Sequence, residues 1–240
     1  MPRLDVLVTK NGLAESRERA QALILAGKVR VAGETVRSPA RTVNDGALIA
    51  VDSEPAYASR GALKLAPALE RFGVDPRGRV CADIGASTGG FTDVLLRRGA
   101  ARVYAVDVGR GLLHWRLRQD PRVAVIERTN ARDLQAFPEP VTLVVVDVSF
   151  ISLEKVLPAV RRAAPEAALV ALFKPQFEVG RSEVGKGGIV RNEAAVENAL
   201  ARFREWCHPN GYAVVDEAPS EVAGAEGNRE IFMHLEPRPA

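Results

Sequence analysis

Cysteine and histidine are scarce in this chain of 240 residues, which has two cysteines, Cys81 and Cys207, and three histidines, His114, His208 and His234. Two cysteines cannot form a disulfide framework, and neither residue type shows the spacing of metal ligands. We therefore expect small buried thiols in a reducing compartment and ordinary surface or packing histidines. The sequence predicts no metal site.

Long apolar runs are also missing. A membrane-spanning helix needs roughly 18 consecutive apolar residues, and the strongest candidate, Val141–Ile151, is short and interrupted by Asp147. The first residues lack the apolar core of a secretory signal peptide. We therefore expect a soluble cytoplasmic protein that has no membrane partner.

The overall composition is that of a globular protein, with 47% hydrophobic and 26% charged residues. Such a chain can bury a real core, so global disorder is excluded. The net charge is +3 and the sequence pI is about 9.1. This mild basic excess permits a polyanionic partner without requiring one, because net charge informs on partners and solubility rather than on fold.

Residues 1–52 predict a small α+β domain. The predicted elements are a helix Leu4–Lys10, a helix from the N-cap Ser16 to Gly27, strands around Val29, Val31 and Val36, and a strand Ala47–Val51. A linker follows at 53–62, because proline disfavours helix there and few residues are core-like. The second domain is predicted at 63–240.

The second domain alternates apolar runs with helical stretches. Five continuous runs predict buried parallel strands, and two later strands follow: Arg79–Asp83, Arg102–Val108, Arg122–Ile126, Leu143–Asp147, Ala168–Phe173, Tyr212–Glu217 and Glu230–Leu235. Seven strands with intervening helices indicate a doubly wound, Rossmann-like α/β domain.

A glycine-rich segment, 83–91, follows the first of these strands and opens a helix. Glycines allow close backbone approach to a ligand, and a helix N-terminus offers free N–H groups. The spacing is not that of a dinucleotide fingerprint, and Asp83 suits an ammonium better than a pyrophosphate. With Asp107 ending the next strand, where it could accept hydrogen bonds from ribose hydroxyls, the pattern favours S-adenosylmethionine. The glycines alone would predict only a tight turn.

A second glycine-rich segment, Gly180–Gly187, nearly matches a phosphate-binding P-loop. It has Gly187 where a magnesium-binding Ser or Thr is required, and no apolar strand ends just before it. An NTPase is therefore rejected. The segment 180–190 is either a mobile basic loop near the active site or a plain surface connection.

Two charged residues, Asp147 and Lys174, end otherwise apolar runs. A charge is costly there unless it is paired, and open α/β sheets bind ligands at the carboxyl ends of their strands. A partly desolvated amine near carboxylates can act as a base, and a structural ion pair is the alternative. By themselves, Lys64 and Glu230 would be ordinary surface residues.

Several blocks together resemble the TlyA family of bacterial rRNA 2′-O-methyltransferases, once labelled haemolysins. The blocks are Ser59–Leu65, Asp83–Thr92, Thr129–Arg132, Val146–Leu153, Lys174–Gly180 and Gly227–Glu230, while Ser16–Gly33 resembles an S4 RNA-binding module. The match covers nearly the whole chain. One departure is Pro55–Ala58, which stands where some relatives have an Arg-x-Trp-Val linker associated with cofactor binding.

The resemblance implies an FtsJ-type catalytic tetrad of Lys64, Asp147, Lys174 and Glu230. Lys174, held by Asp147 and Glu230, would act as base or orienting group, and Lys64 would position the hydroxyl. It also implies S-adenosylmethionine contacts at Asp83, Gly85, Ser87, Thr88, Gly89, Gly90, Phe91, Asp107, Asn130 and Ala131. The substrate would be a ribose 2′-hydroxyl, which also discriminates RNA from DNA.

Basic residues in and after the first domain are candidates for contacts to RNA phosphates. They are Arg3, Arg17, Arg19, Lys28, Arg30 and Arg60. Because Glu15 and Glu18 are close by, a solvated basic face is the alternative. The implied partner is ribosomal RNA or a ribosomal subunit, at a cytidine of large-subunit RNA with both subunits left open, and a monomer is favoured. Two other functions remain: an RNA-binding assembly factor with an inactive methyltransferase domain, and a pore-forming haemolysin.

Overall fold

A computed structural model describes residues 1–52, 57–224 and 227–238. The chain divides into two compact units, Met1–Ala56 and Tyr57–Ala240. We call them the N-terminal unit and the catalytic unit and describe each by itself.

The N-terminal unit packs two helices against a small antiparallel sheet. Its elements are α1 (Leu4–Lys10), α2 (Arg17–Leu25), β1 (Val29–Val31), β2 (Glu34–Val36) and β3 (Ile49–Val51), in the sheet order β2-β1-β3. Ser16 caps α2, because its hydroxyl accepts a hydrogen bond from Arg19 N at 3.1 Å. Leu4, Leu7 and Ile24 are fully buried between the layers, so the predicted α+β domain is confirmed.

The catalytic unit is a doubly wound α/β domain, as predicted. Its elements are α3 (Ala62–Arg71), β4 (Val80–Ile84), α4 (Gly90–Arg97), β5 (Arg102–Val106), α5 (Trp115–Arg118), β6 (Val123–Ile126), β7 (Leu143–Val146), α6 (Leu153–Ala163), β8 (Ala168–Phe173), α7 (Pro175–Glu178), α8 (Glu193–Cys207), β9 (Tyr212–Pro219) and β10 (Ile231–Pro237). The sheet order is β6-β5-β4-β7-β8-β10-β9. The strands β6, β5, β4, β7 and β8 are parallel to one another, and β10 runs antiparallel to both of its neighbours, β8 and β9.

Both faces of this sheet are buried, which explains the continuous apolar runs. Along β7, Val144 and Val146 pack on the face with α6 and α8, whereas Leu143 and Val145 pack on the face with α3 and α4. The bounds of β8 are as predicted, and those of the other strands differ from the predicted ones by one or two residues. Glu230 immediately precedes β10 and does not begin it.

The segment before the catalytic unit was predicted as a linker over 53–62. Residues 53–56 lie outside the described part, so the departure at Pro55–Ala58 is only partly visible. Beyond them, the backbone N–H of Ala58 donates to the Asp93 carboxylate at 2.8 Å, and α3 begins at Ala62. The exact domain boundaries stay a prediction.

Candidate active site

Two lysine–carboxylate pairs lie at one end of the seven-stranded sheet. Lys174 Nζ is 2.5 Å from Asp147 Oδ1, and it donates to Ser149 Oγ at 3.0 Å. Lys64 Nζ is 2.6 Å from Glu230 Oε2. Asp147 follows β7, Lys174 follows β8, Glu230 precedes the antiparallel β10, and Lys64 reaches the site from α3. The four residues that the family resemblance singled out thus form two close ion pairs.

The pairing differs in one respect from the expectation that both carboxylates hold Lys174. Glu230 is paired with Lys64 instead, so Lys174 has Asp147 and Ser149 as its partners. Glu230 and Lys174 are buried, at 2% and 8% exposure. A buried charge needs a partner of opposite charge. Lys64 provides one for Glu230, and Asp147 provides one for Lys174.

A cavity of about 220 Å³ lies beside these pairs. Lys64 and Asp147 border it. The other lining residues come from the segment before α3, the glycine-rich loop after β4 and the loop after β9: Ser59, Arg60, Gly61, Gly85, Ala86, Ser87, Thr88, Gly90, Phe91, Val222 and Ala223. Arg60 is exposed at this border. The cavity therefore offers an ammonium and a carboxylate to one polar group of a ligand.

A second cavity, of about 630 Å³, extends over the ends of β4, β5 and β7. Gly85 and Asp147 border both cavities. Gly85 has φ +88°, and a Cβ there would collide with the carbonyl of Asp147. Glycine is thus required where the loop crosses β7, because only it combines a positive φ with such a close approach.

Most predicted cofactor residues border one of these cavities. They are Gly85, Ser87, Thr88, Gly90, Phe91, Asp107, Asn130 and Ala131. Asp107 accepts hydrogen bonds from the backbone N–H groups of Ser87 and Gly109, both at 2.7 Å. Gly89 is buried instead: it has φ +92°, and a Cβ would collide with Leu113 and Leu117.

Asp83 is completely buried, although we expected it to face an ammonium group. Its Oδ2 accepts hydrogen bonds from the backbone N–H and the hydroxyl of Thr92, at 2.8 and 2.7 Å. Its Oδ1 has no partner among the described residues. Burial, together with the nearby charges of Asp147 and Asp107, raises the pKa of Asp83 to about 7.

These features fit S-adenosylmethionine. The larger cavity has the carboxylate of Asp107 on its border, and the loop backbone lies close to it. The unpartnered oxygen of Asp83 lies at the base of that loop, where an amino group or a water molecule could satisfy it. Within the described ranges, no group of three His, Cys, Asp or Glu side chains is placed to hold a metal ion.

Polar residues that the sequence did not single out fix the catalytic loops. The carboxylate of Glu178, after β8, accepts a hydrogen bond from Leu153 N, after β7, at 2.8 Å, and burial raises the pKa of Glu178. Ser149 could have been found from its position two residues after Asp147. The partners of Glu178 are distant in sequence, and no local pattern indicates them.

Phe150 and the segment 180–190 also lie in this region. Phe150, which borders the larger cavity, is 91% exposed and has φ +65°, a strained conformation for an aromatic residue. The segment 180–190 forms two short 3₁₀ turns, Arg181–Glu183 and Lys186–Gly188. It contacts Asn228, two residues before Glu230.

In the N-terminal unit, the predicted RNA-binding residues have different surroundings. Arg3 and Arg17 are about half exposed and bind the buried carboxylate of Asp5 at 3.0 and 3.1 Å. Arg30 pairs with Asp52 at 3.2 Å, while Lys28 is exposed and Arg19 is partly buried. Part of the basic face is thus neutralised within the unit.

Comparisons with known proteins match both units. The family of FtsJ-like methyltransferases matches residues 57–236, and the S4 domain family matches residues 2–49. The 16S/23S rRNA (cytidine-2′-O)-methyltransferase TlyA of Mycobacterium tuberculosis is 49% identical over 97% of this chain and 89% of its own length. The chain belongs to the TlyA family of FtsJ-like methyltransferases. Its fold and enzyme class are therefore those expected from the sequence.

Some relatives in the TlyA family carry a different name. Hemolysin A of Brachyspira hyodysenteriae is 42% identical over 97% of this chain and 99% of its own length. A solved structure from Streptococcus thermophilus, which carries a provisional hemolysin name, has a TM-score of 0.75 and 41% identity over 100% of this chain and 89% of that one. Every helix in the described ranges is too short or too polar to cross a membrane.

Proposed function

We propose that this chain transfers a methyl group from S-adenosylmethionine to the 2′-hydroxyl of a cytidine ribose in ribosomal RNA. The observation that carries the proposal is the pair of lysine–carboxylate contacts next to the glycine-rich loop. By its name, the related TlyA of Mycobacterium tuberculosis acts on 16S and 23S rRNA. We propose large-subunit RNA as the substrate, with small-subunit RNA as a second target to be tested.

The substrate hydroxyl would enter the smaller cavity, which Lys64 and Asp147 border. Lys64, held by Glu230, is placed to donate a hydrogen bond to the hydroxyl oxygen and orient it. Lys174, held by Asp147 and Ser149, would accept the proton as the oxygen attacks, which requires the neutral amine at that moment. Proton transfer of this kind contributes about 10²–10⁴-fold to the rate.

The cofactor would be held in the larger cavity by Asp107, Asn130 and the loop of Gly85–Phe91. When bound, S-adenosylmethionine supplies an electrophilic methyl group on a sulfonium. The protein's part is to align the hydroxyl with that methyl group and to exclude water. Metal independence, a monomeric state and a cytoplasmic location, where ribosomal subunits are found, belong to the same proposal.

Replacing Lys174 with Ala tests this function. We expect methyl transfer to rRNA to fall by at least about 10²-fold, because the base is lost, while S-adenosylhomocysteine binding measured by calorimetry persists. Arg77→Ala is the control, because Arg77 is an exposed side chain that precedes β4. Both readouts should be unchanged in it.

Three results would contradict the proposal. Full activity in Lys174→Ala would refute the assignment of the base. A wild-type chain that binds rRNA without methylating it would favour the RNA-binding assembly factor, and leakage of liposomes would favour the haemolysin. Mass mapping of ribose methylation in rRNA, with and without the gene, identifies the target nucleotide.

A further inference from the structure

Asn228 is a buried polar residue that links three segments. It is 3% exposed. Its side chain donates from Nδ2 to Gly188 O at 2.8 Å and accepts at Oδ1 from Val190 N at 2.9 Å. Its backbone carbonyl accepts from Gly224 N at 3.0 Å. A buried amide with both ends used in this way is costly to remove, so Asn228 holds the segment 185–190 next to the start of β10.

The segment that Asn228 holds is a closed turn, Gly185–Ile189. Gly185 N donates to Ile189 O at 3.0 Å, and Gly188 N donates to Gly185 O at 3.1 Å. Gly187 and Gly188 have φ values of +77° and +74°, which only glycine adopts readily. The turn is therefore fixed by its own hydrogen bonds and by Asn228.

Lys186 is the charged residue that this turn presents to solvent. Its side chain is exposed and has no ion-pair partner among the described residues, whereas the acidic Glu183 of the same segment accepts a hydrogen bond from Asn192 at 3.0 Å. Nearby, Arg191 and Arg229 border a cavity of about 670 Å³ that also contacts Glu230. An exposed lysine with no ion-pair partner among the described residues thus lies on a turn that is hydrogen-bonded to Asn228, two residues before Glu230 in the sequence.

We propose that the turn Gly185–Ile189 binds the phosphodiester backbone of the RNA next to the target nucleotide, through Lys186 Nζ, and that Asn228 is the positioning residue for this contact. The inference rests on the proposed function, because it takes the nucleotide entering beside Lys64 and Glu230 to belong to RNA. A lysine is well suited to this task, since phosphate contacts position a nucleic acid without reading its sequence.

Lys186→Gln in the full chain tests the contact. Binding to an rRNA fragment that contains the target, measured across a range of salt concentrations, should lose roughly 0.7–0.9 from its log–log salt slope, the value for one phosphate contact. The KM for RNA should rise several-fold while kcat and S-adenosylhomocysteine affinity stay unchanged. Lys186→Arg should restore binding, and Arg77→Gln, which removes another exposed positive charge, should have no effect.

Asn228→Ala tests the positioning role. It should raise the KM for RNA, and its effect should not add to that of Lys186→Gln in the double variant, because both changes remove the same contact. Unchanged affinity and salt slope in Lys186→Gln, or additive effects in the double variant, would overturn the proposal. Lys186→Gln alone decides the contact if Asn228→Ala fails to fold. If Lys186→Gln weakens RNA binding but the wild type never methylates RNA, only the proposed function fails.

Discussion

Each unit contains a completely buried aspartate, and the two differ in how their carboxylates are satisfied. Asp5, in the N-terminal unit, binds Arg3, Arg17, Gln21 and the backbone N–H of Val6. These hydrogen bonds, with Arg3 first, hold the pKa of Asp5 well below its ordinary value. The carboxylate is thus charged and stabilises the fold of the unit.

Asp83, in the catalytic unit, has hydrogen bonds from Thr92 at one oxygen, and no described residue contacts the other. Its pKa is raised to about 7, mainly by burial. An arrangement that leaves a buried polar group unsatisfied is costly to stability and is typical of functional sites. We therefore expect the two buried aspartates to have different roles, because their hydrogen-bond partners differ.

The same substitution at both positions should separate these roles, and the largest effect is expected at Asp5. Asp5→Asn removes the charge that Arg3 and Arg17 bind, so the N-terminal unit should lose about 3 kcal/mol of unfolding free energy. Hydrogen exchange of amides in residues 1–52 measures this. Asp45→Asn is the control, because its pair with Lys10 is exposed and should be worth less than about 1 kcal/mol. Equal losses in the two variants would contradict the structural role of Asp5.

At Asp83, the expected loss is in ligand affinity. Asp83→Asn should weaken S-adenosylhomocysteine binding by about 10–100-fold, the range for a hydrogen bond to a charged group. At pH 4, where Asp83 is protonated in the folded chain, the stability of the catalytic unit should stay within about 1 kcal/mol of the wild type, because no ion pair is lost. Near pH 6, ligand binding to the wild type should release a proton from Asp83, which calorimetry in buffers of different ionisation enthalpy detects. A variant that releases the same proton would assign it to another group.

The smallest effect per pH unit is a difference in the pH dependence of stability. The pKa of Asp83 is raised from 3.8 to about 7, so its contribution to stability is fully present below pH 3.8 and is lost as pH rises through 7. The slope cannot exceed about 1.4 kcal/mol per pH unit for one proton. The pKa of Asp5 is lowered, so its contribution is present above pH 3.8 and is lost as pH falls below that value. Hydrogen exchange of each unit between pH 4 and 8 should show a decline in the catalytic unit that Asp83→Asn abolishes.

The sequence was sufficient to predict the fold because its signals are local. Continuous runs such as Leu143–Val146 mark strands buried on both faces, and the hydroxyl of Ser16 marks the start of α2. Asp147 and Lys174 could be placed for the same reason, since a charge that ends such a run must lie at the strand's carboxyl end. Only the family resemblance singled out Lys64 and Glu230, which local patterns treat as ordinary surface residues.

What the sequence could not show is which partner each polar group has. The interpretation of Asp83 as open to a ligand missed its burial against Thr92, because the packing of α4 on the sheet sets that burial. Asn228 contacts Gly188, 40 residues away, and Glu178 contacts Leu153, 25 residues away. Such pairs form only when the sheet brings distant loops together.

The position of β10 has a consequence for synthesis of the protein. Among the described residues it is the last strand in chain order, yet it lies inside the sheet between β8 and β9. Until it emerges, β8 has an open edge that could pair with another chain, and β9 has no strand to pair with. Until then, Lys64 also lacks its ion-pair partner Glu230, which immediately precedes β10. The nascent enzyme is therefore exposed to aggregation, and the proposed tetrad is incomplete, until nearly all of its catalytic unit has been translated.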